Sequence, residues 1–224
     1  LIGVGVLFGV VSVWTSSKLP GGAPSSGAET EQSSYRGMVA TARDPNFVRY
    51  LVGAGLVTLS TVPLLSFVPL FMNEVVGLQS DQVVWLQIGI LVGGGASGYV
   101  WGWLADRYGS KPVMVWSVYL LPLLPLAWLV MPREVVWAVY LAFAIAIAQG
   151  LINTAWVIGS GRLLYVRVVP TQMRTAYMAV YFAWMGIAGG LGQLMGGWLV
   201  DASVRLQGQW WIFKVDAYTP LFLV

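Results

Sequence analysis

Long apolar stretches dominate this chain and alternate with short polar segments. A helix needs about 20 residues to cross a hydrocarbon core of about 30 Å. Continuous apolar runs lack the alternation of barrel strands, and a helix satisfies its own backbone hydrogen bonds in lipid. The pattern therefore predicts an all-α polytopic membrane protein. Five runs reach the required length and carry no Lys, Arg, Asp or Glu except Arg49; they are Val48–Met72, Gln82–Leu104, Pro112–Met131, Val135–Ser160 and Thr175–Val200.

Two more apolar stretches lie at the ends of the chain, at Leu1–Trp14 and Tyr218–Val224. We interpret them as the end of one span and the start of another. A signal peptide is the alternative for the first stretch, but a basic segment before it is missing and Lys18 follows it.

A polar linker rich in Pro, Gly and Ser runs from Ser16 to Ala42, which indicates a flexible, solvated segment. A short surface helix is predicted over Arg36–Asn46. The predicted organisation is a truncated helix over residues 1–15, a linker over residues 16–47 and a helical bundle over residues 48–224 with five complete spans.

Composition excludes several chemistries. Only 9% of the residues are charged, against about 25% in an ordinary soluble domain. The chain has no cysteine and no histidine, which excludes disulfides, thiolate catalysis and His-based metal sites, and we predict no cofactor and no metal.

The basic residues are distributed unevenly between the two ends of the spans. Lys and Arg concentrate in the loops on the linker side, so the positive-inside rule places the linker and the loop after the second span in the cytoplasm of a plasma (inner) membrane protein. The net charge of +3 then reflects membrane orientation, and we predict no nucleic-acid partner. Nine basic residues lie on the linker side, namely Lys18, Arg36, Arg43, Arg49, Arg107, Lys111, Arg162, Arg167 and Arg174, and three lie opposite, namely Arg133, Arg205 and Lys214.

The decapeptide Gly102–Lys111, here called the Asp106 loop, reads G-W-L-A-D-R-Y-G-S-K and joins the second and third spans. It resembles the signature loop of the major facilitator superfamily, whose pattern is close to G-x-L-x-D-R-x-G-R-K. Ser110 replaces a basic residue of that pattern. The positions that match are Gly102, Leu104, Asp106, Arg107, Gly109 and Lys111.

This resemblance implies a transporter with two six-helix halves joined by a long cytoplasmic linker. The chain would then run from the end of the sixth helix to the beginning of the twelfth, as a carboxy-terminal half-bundle. Its partners would be the missing amino-terminal half, the lipid bilayer and a small-molecule solute.

The resemblance also implies roles within the Asp106 loop. Asp106 would brace this half against the missing one when the cytoplasmic side is closed. At a helix N-terminus its carboxylate would gain about 0.3–2 kcal/mol. Arg107 and Lys111 would pair with acids of that half or with lipid phosphates. Gly102 would let the helix end pack closely, and Gly109 would supply a positive φ. The alternative is a merely solvated, positive-inside turn.

Small residues and prolines predict how the spans pack. The pairs Gly94–Gly98, Gly186–Gly190 and Gly192–Gly196 have the spacing that allows helix backbones to approach closely. Static packing is a sufficient explanation, and helix sliding during transport is the second. Pro63 and Pro69 should break backbone hydrogen bonds of the first span. Hydroxyls near them should satisfy the freed groups; they belong to Thr58, Ser60, Thr61 and Ser66.

Polar side chains inside the apolar runs are candidates for a substrate path. Gln149, Asn153 and Trp156 share one helix face because they are spaced by four and three residues. Gln87 and Gln193 lie in two other spans, and the resemblance places all these spans around the central cavity. The alternative is that the amides only bond neighbouring helices, a contribution of about 0.6 kcal/mol each.

The leading functional hypothesis is a transporter that moves a solute by alternating access. A non-transporting receptor or scaffold is the alternative. An integral-membrane enzyme is the least favoured because the sequence shows no nucleophile–base pair, paired carboxylates or metal cluster. A cavity lined by amides and tryptophan favours a neutral solute such as a sugar, and an apolar one would favour a lipophilic compound.

No carboxylate lies deep in the five spans. Transport is therefore either passive or coupled through an acid of the missing half. Glu74 and Asp81 lie just outside the spans and are expected to be solvated at the outer surface.

Overall fold

The computed structural model describes residues 37–133, 135, 137–203, 208–210, 213–215 and 217–223. The apolar stretch Leu1–Trp14 and the linker up to residue 36 lie outside these residues. In the described part of the linker, residues 37–41 are helical and a turn at residues 42–43 separates them from the first long helix. The helix predicted over Arg36–Asn46 is therefore interrupted.

Helices account for nearly all of the described chain. The long ones are α1 (Pro45–Glu74), α2 (Ser80–Tyr108), α3 (Ser110–Leu120), α5 (Ala138–Leu163) and α6 (Arg174–Ser203), and the short ones are α4 (Leu123–Leu129) and α7 (Thr219–Leu223). A π-helical turn, Leu164–Val168, extends α5, and a 3-10 turn, Thr171–Met173, precedes α6. Strands β1 (Gly208–Trp210) and β2 (Phe213–Val215) form an antiparallel pair with Gly208 opposite Val215.

Five helical segments are long and apolar enough to cross a membrane: α1, α2, α3 with α4, α5 with its π-helical turn, and α6. Their order and positions confirm the spans predicted from the apolar runs. Large side chains on their surfaces remain exposed, with Leu91 at 74% and Leu194 at 73%. Such a surface is suited to lipid, which solvates apolar side chains without cost.

Polar residues set the helix boundaries. The Asp44 carboxylate accepts hydrogen bonds from the backbone N–H groups of Asn46 at 2.9 Å and Phe47 at 3.4 Å, and Pro45 occupies the first turn of α1. At the start of α2, the N–H of Gln79 donates to Oε1 of Gln82 at 3.0 Å. These contacts satisfy N–H groups that have no partner within their own helix.

Prolines act differently in the first and third spans. Pro122 lies between α3 and α4 and interrupts the third span, because proline has no N–H and its ring collides with the preceding turn. Pro63 and Pro69, in contrast, lie inside the continuous helix α1.

The hydroxyls near these prolines do not bond the carbonyls that the prolines free, which are those of Leu59 and Leu65. Thr58 donates to the carbonyl of Ala54, and Thr61 donates to that of Val57. Ser60 donates to the carbonyls of Leu56 and Val57. No described residue forms a hydrogen bond with Ser66 that would fill this role. The predicted compensation is therefore wrong, because the hydroxyls of Thr58, Ser60 and Thr61 bond other carbonyls of the preceding turn.

Helices α2 and α3 both pack against α5, and α1 packs against α6. The closest approach is between α2 and α5. A Cβ added to Gly93 would overlap the carbonyl of Ile147, and one added to Gly150 would overlap that of Ile90. Glycine is required at both positions because backbone faces backbone.

The predicted glycine pairs differ in what they contact. A Cβ at Gly192 would lie 3.1 Å from the carbonyl oxygen of Leu59, and one at Gly196 would lie 2.8 Å from Cβ of Pro63. The Gly192–Gly196 prediction is confirmed, since both residues seat α6 against α1.

The other two pairs are less closely packed. A Cβ at Gly94 would lie 2.9 Å from Oγ1 of Thr154, whereas one at Gly98 would only reach its methyl at 4.0 Å. Around Gly186 and Gly190 no described atom lies within 4 Å of an added Cβ, so that pair packs against nothing in the described chain.

Candidate functional site at the Asp106 loop

Asp106 lies in the last turn of α2, two residues before the helix ends at Tyr108. The prediction that its carboxylate sits at a helix N-terminus is therefore wrong. The partial charge at a helix C-terminus is negative, so the helix dipole disfavours a carboxylate there. Its stabilisation must come from another group.

Arg162, near the end of α5, supplies that group. Its Nη2 lies 2.5 Å from Oδ1 of Asp106, and its Nη1 lies 3.5 Å from the carbonyl oxygen of Gly102. The side chains of Arg162 and Asp106 are 40% and 68% exposed. The resemblance assigned Asp106 a partner in another half-bundle, whereas the structure gives it one within the described bundle itself. In the sequence, the only indication of this partner was an arginine at the end of an apolar run.

Gly109 connects α2 to α3 with φ 91° and ψ 161°. The predicted positive φ is confirmed, and this region of φ and ψ is essentially restricted to glycine. Gly102 behaves otherwise: a Cβ there would meet no described atom within 4 Å. Close packing of the helix end on Gly102 is therefore not observed in the described residues.

Arg107 lies against aromatic rings of its own helix. Its guanidinium carbon is 5.3 Å from the ring centroid of Trp103 and 5.7 Å from that of Tyr108. A cation over an aromatic face gains about 0.5–1 kcal/mol at an exposed site. This contact holds Arg107 on the outer surface of α2, so it does not join the ion pair of Asp106 and Arg162.

Tyrosines tie α1 to its neighbours at the same end of the bundle. The hydroxyl of Tyr177 on α6 donates to Oδ2 of Asp44 at 3.0 Å, and that of Tyr50 donates to the carbonyl of Ser160 on α5 at 3.0 Å. The sequence analysis did not identify these contacts. The sequence feature that could have indicated them is a tyrosine close to the end of a span, because its ring can be buried while its hydroxyl forms a hydrogen bond.

Gln149 is only 2% exposed, and its Oε1 accepts a hydrogen bond from Nε1 of Trp128 at 3.2 Å. Trp128 belongs to α4 in the third span and is itself 1% exposed. This contact favours the alternative interpretation for Gln149, in which the amide bonds a neighbouring helix.

The other substrate-path candidates occupy different environments. Trp156 packs, partly buried, against the cluster around Phe47 and Tyr50. Asn153 is partly exposed, and no described residue hydrogen-bonds its amide, whereas Gln87 and Gln193 are exposed on α2 and α6. The five side chains therefore do not form one continuous lining within the described part of the bundle.

At the opposite end of the bundle, Glu74 accepts a hydrogen bond from the hydroxyl of Tyr218 at 2.6 Å. Glu74 is exposed, as expected from the sequence, and the structure adds this hydrogen bond. The bond joins the end of α1 to the turn before α7. The two residues are far apart in the sequence, which gave no indication of this contact.

Comparison with protein families gives a match to the Major Facilitator Superfamily over residues 50–223. Comparison with curated proteins and with solved structures gives no match. The family match covers most of the chain, including all five spans and the Asp106 loop, so the resemblance noted in that loop is confirmed. The chain belongs to the Major Facilitator Superfamily, a family of membrane transporters for small-molecule solutes, and it is an integral membrane protein.

Proposed function

We propose that this protein moves a small solute across the plasma membrane by alternating access, as a permease. In this proposal the five spans belong to the carboxy-terminal half of a two-half transporter, and residues 16–47 form the linker to an amino-terminal half. The two halves rock about a site near the middle of the membrane. The Asp106 loop and the linker face the cytoplasm, in keeping with the basic residues gathered at that end.

The ion pair between Asp106 and Arg162 is the observation that carries this proposal. Exposed pairs stabilise a fold by only about 0–1 kcal/mol. Because both side chains remain partly exposed, they are free to exchange partners when another helix approaches. A pair of this kind is better suited to a conformational switch than to holding the bundle together.

The solute would pass between this half and its counterpart. Asn153, Gln87 and Gln193 are the preferred contacts because their amides are at least partly exposed. Trp156 lies on the same helix face as Asn153, whereas Gln149 is buried against Trp128 and does not contact the solute in this proposal. Neutral amides favour an uncharged solute such as a sugar.

The described carboxylates all lie at or near helix ends, and they are Asp44, Glu74, Asp81, Asp106 and Asp201. A proton-coupled mechanism would therefore take its acid from outside these five spans. Passive transport needs no such acid.

Uptake of labelled neutral sugars into proteoliposomes that contain the full-length protein tests the proposal. Asp106→Asn should lower the initial rate by about tenfold, within the range of a conformational coupling of about 1–3 kcal/mol. The unfolding midpoint should change little, because the pair is exposed. Exchanging the charges, with Asp106→Arg and Arg162→Asp together, should restore part of the rate.

Asp81→Asn is the matched control, since it removes an exposed carboxylate at the other end of α2. Equal losses of uptake in Asp81→Asn and Asp106→Asn would contradict a specific role for the Asp106 loop. Saturable sugar binding without flux would favour a non-transporting receptor, and hydrolytic activity in detergent would favour an enzyme.

A further inference from the structure

A cavity of about 420 Å³ opens beside the Asp106 loop, between the α2–α3 corner and the end of α5. Among the described residues, three cationic side chains line it and no carboxylate does; the cations are Lys111, Arg162 and Arg167. The ion pair with Asp106 compensates Arg162. Within the described chain neither Lys111 nor Arg167 has an acidic partner, so the cavity retains two uncompensated positive charges.

The backbone around the cavity adds to its preference for anions. Helix α3 begins at Ser110 after Gly109, which has no side chain to cap it. Its first N–H groups therefore lack a partner in the helix and carry partial positive charge. The π-helical turn Leu164–Val168 carries Arg167 on the facing wall.

Part of the remaining lining is apolar, beside Tyr108 and Ser110. Pro112, Leu163 and Val166 contribute to its walls, and Val166 is 73% exposed at the end of the fourth span. A site that combines cationic side chains with aliphatic surface, at the end of membrane-spanning helices, matches a phospholipid whose headgroup is anionic. Basic pockets between transmembrane helices bind such headgroups.

We propose that this cavity binds the phosphate group of an anionic phospholipid from the leaflet at that end of the bundle. Lys111 and Arg167 would contact the phosphate oxygens, and the acyl chains would run along the exposed side chains of α5. Arg162 would then lie between two anions, the carboxylate of Asp106 and the lipid phosphate. Lipid occupancy would thereby compete with Asp106 for the same guanidinium.

Native mass spectrometry of the purified full-length protein, titrated with phosphatidylglycerol, tests this proposal. The double variant Lys111→Gln, Arg167→Gln should weaken binding about 25-fold, since each surface cation contributes about fivefold. The charge-conserving pair Lys111→Arg, Arg167→Lys should bind as the wild type does, which separates charge from folding. Arg43→Gln with Arg174→Gln is the matched control, because both arginines are exposed at the same end of the bundle and neither lines the cavity.

Two further measurements distinguish a lipid phosphate from a free phosphate ion. Phosphatidylcholine should bind more weakly than phosphatidylglycerol, and inorganic phosphate should not displace the lipid. Displacement by inorganic phosphate would overturn the lipid assignment in favour of a free anion. Wild-type affinity in the double Gln variant, or an equal loss in the Arg43 and Arg174 control, would overturn the site. Lipid binding is measured without transport, so its failure is distinguishable from a failure of the transporter proposal.

Discussion

At the scale of single residues, Gly109 holds a backbone conformation that other residues rarely adopt, with φ 91° and ψ 161°. The turn from α2 to α3 depends on it, and so does the position of the Asp106 loop relative to Arg162. Ser110, its neighbour, begins α3 with ordinary helical geometry.

Gly109→Val should destabilise the protein by about 1–3 kcal/mol, because a β-branched side chain cannot relax into this region. The level of folded protein in the membrane and the unfolding midpoint in detergent measure the effect. Ser110→Ala is the control and should behave as the wild type does. Equal behaviour of the two variants would show that the turn is not constrained by Gly109.

Gln149 and Trp128 form a second residue-scale test, because their hydrogen bond is buried. Gln149→Leu leaves the indole N–H without a partner and should cost about 1–3 kcal/mol in unfolding free energy. Adding Trp128→Phe removes that unsatisfied donor, so the double variant should cost less than the sum of the single ones. Thermal unfolding of the single and double variants measures this coupling.

Transport kinetics distinguish the role of Gln149 from that of Asn153. Gln149→Leu should leave the apparent affinity for solute unchanged, whereas Asn153→Ala should weaken it if Asn153 lines the path. A selective loss of affinity in Gln149→Leu would restore Gln149 to the substrate path.

At the scale of elements, the contact between α2 and α5 is the closest in the bundle. Gly93 and Gly150 face carbonyl groups of the opposite helix, which cannot move aside as a flexible side chain can. The contact places Asp106 and Arg162 at the same end of two adjacent helices. The geometry of the Asp106 loop therefore depends on glycines that lie several turns away from it.

Gly93→Ala should separate these helices and cost about 1–3 kcal/mol, as overpacking typically does. Gly95→Ala is the matched control on the same helix, because an added Cβ there meets no described atom within 4 Å. Alanine is the better helix former by about 1 kcal/mol, so the control should be neutral or stabilising. Unfolding midpoints in detergent report both, and a stable Gly93→Ala would contradict the close backbone contact.

At the scale of the whole molecule, the alternation of the five spans gathers the loops that precede α1, join α2 to α3 and join α5 to α6 at one end. Most of the basic residues lie in these loops, and we propose that this end is cytoplasmic. Because these 224 residues contain no cysteine, they add no background label of their own to that of a single introduced cysteine.

Thr171→Cys and Gln79→Cys are suitable reporters, since both residues are exposed and lie at opposite ends of the bundle. In intact cells a membrane-impermeant maleimide should label Gln79→Cys at once and Thr171→Cys only after permeabilisation. The reverse pattern would invert the proposed orientation and would place the anion-binding cavity in the other leaflet.

Several features of this protein followed from the sequence alone. The number and positions of the spans are set by the hydrocarbon thickness and by the cost of charge in lipid, which are local properties of each run. The positive φ at Gly109 was expected from a glycine in the tight turn of the Asp106 loop.

Other features were decided only by tertiary structure. The partner of Asp106 is 56 residues away in sequence, and that of Gln149 is 21 residues away. Such pairings depend on which helices become neighbours and on how each is rotated. A period of 3.6 residues shows which side chains share a face, but it does not show what that face packs against. The same limit explains why the spacing of small residues pointed to Gly192 and Gly196 but not to the tighter contacts at Gly93 and Gly150.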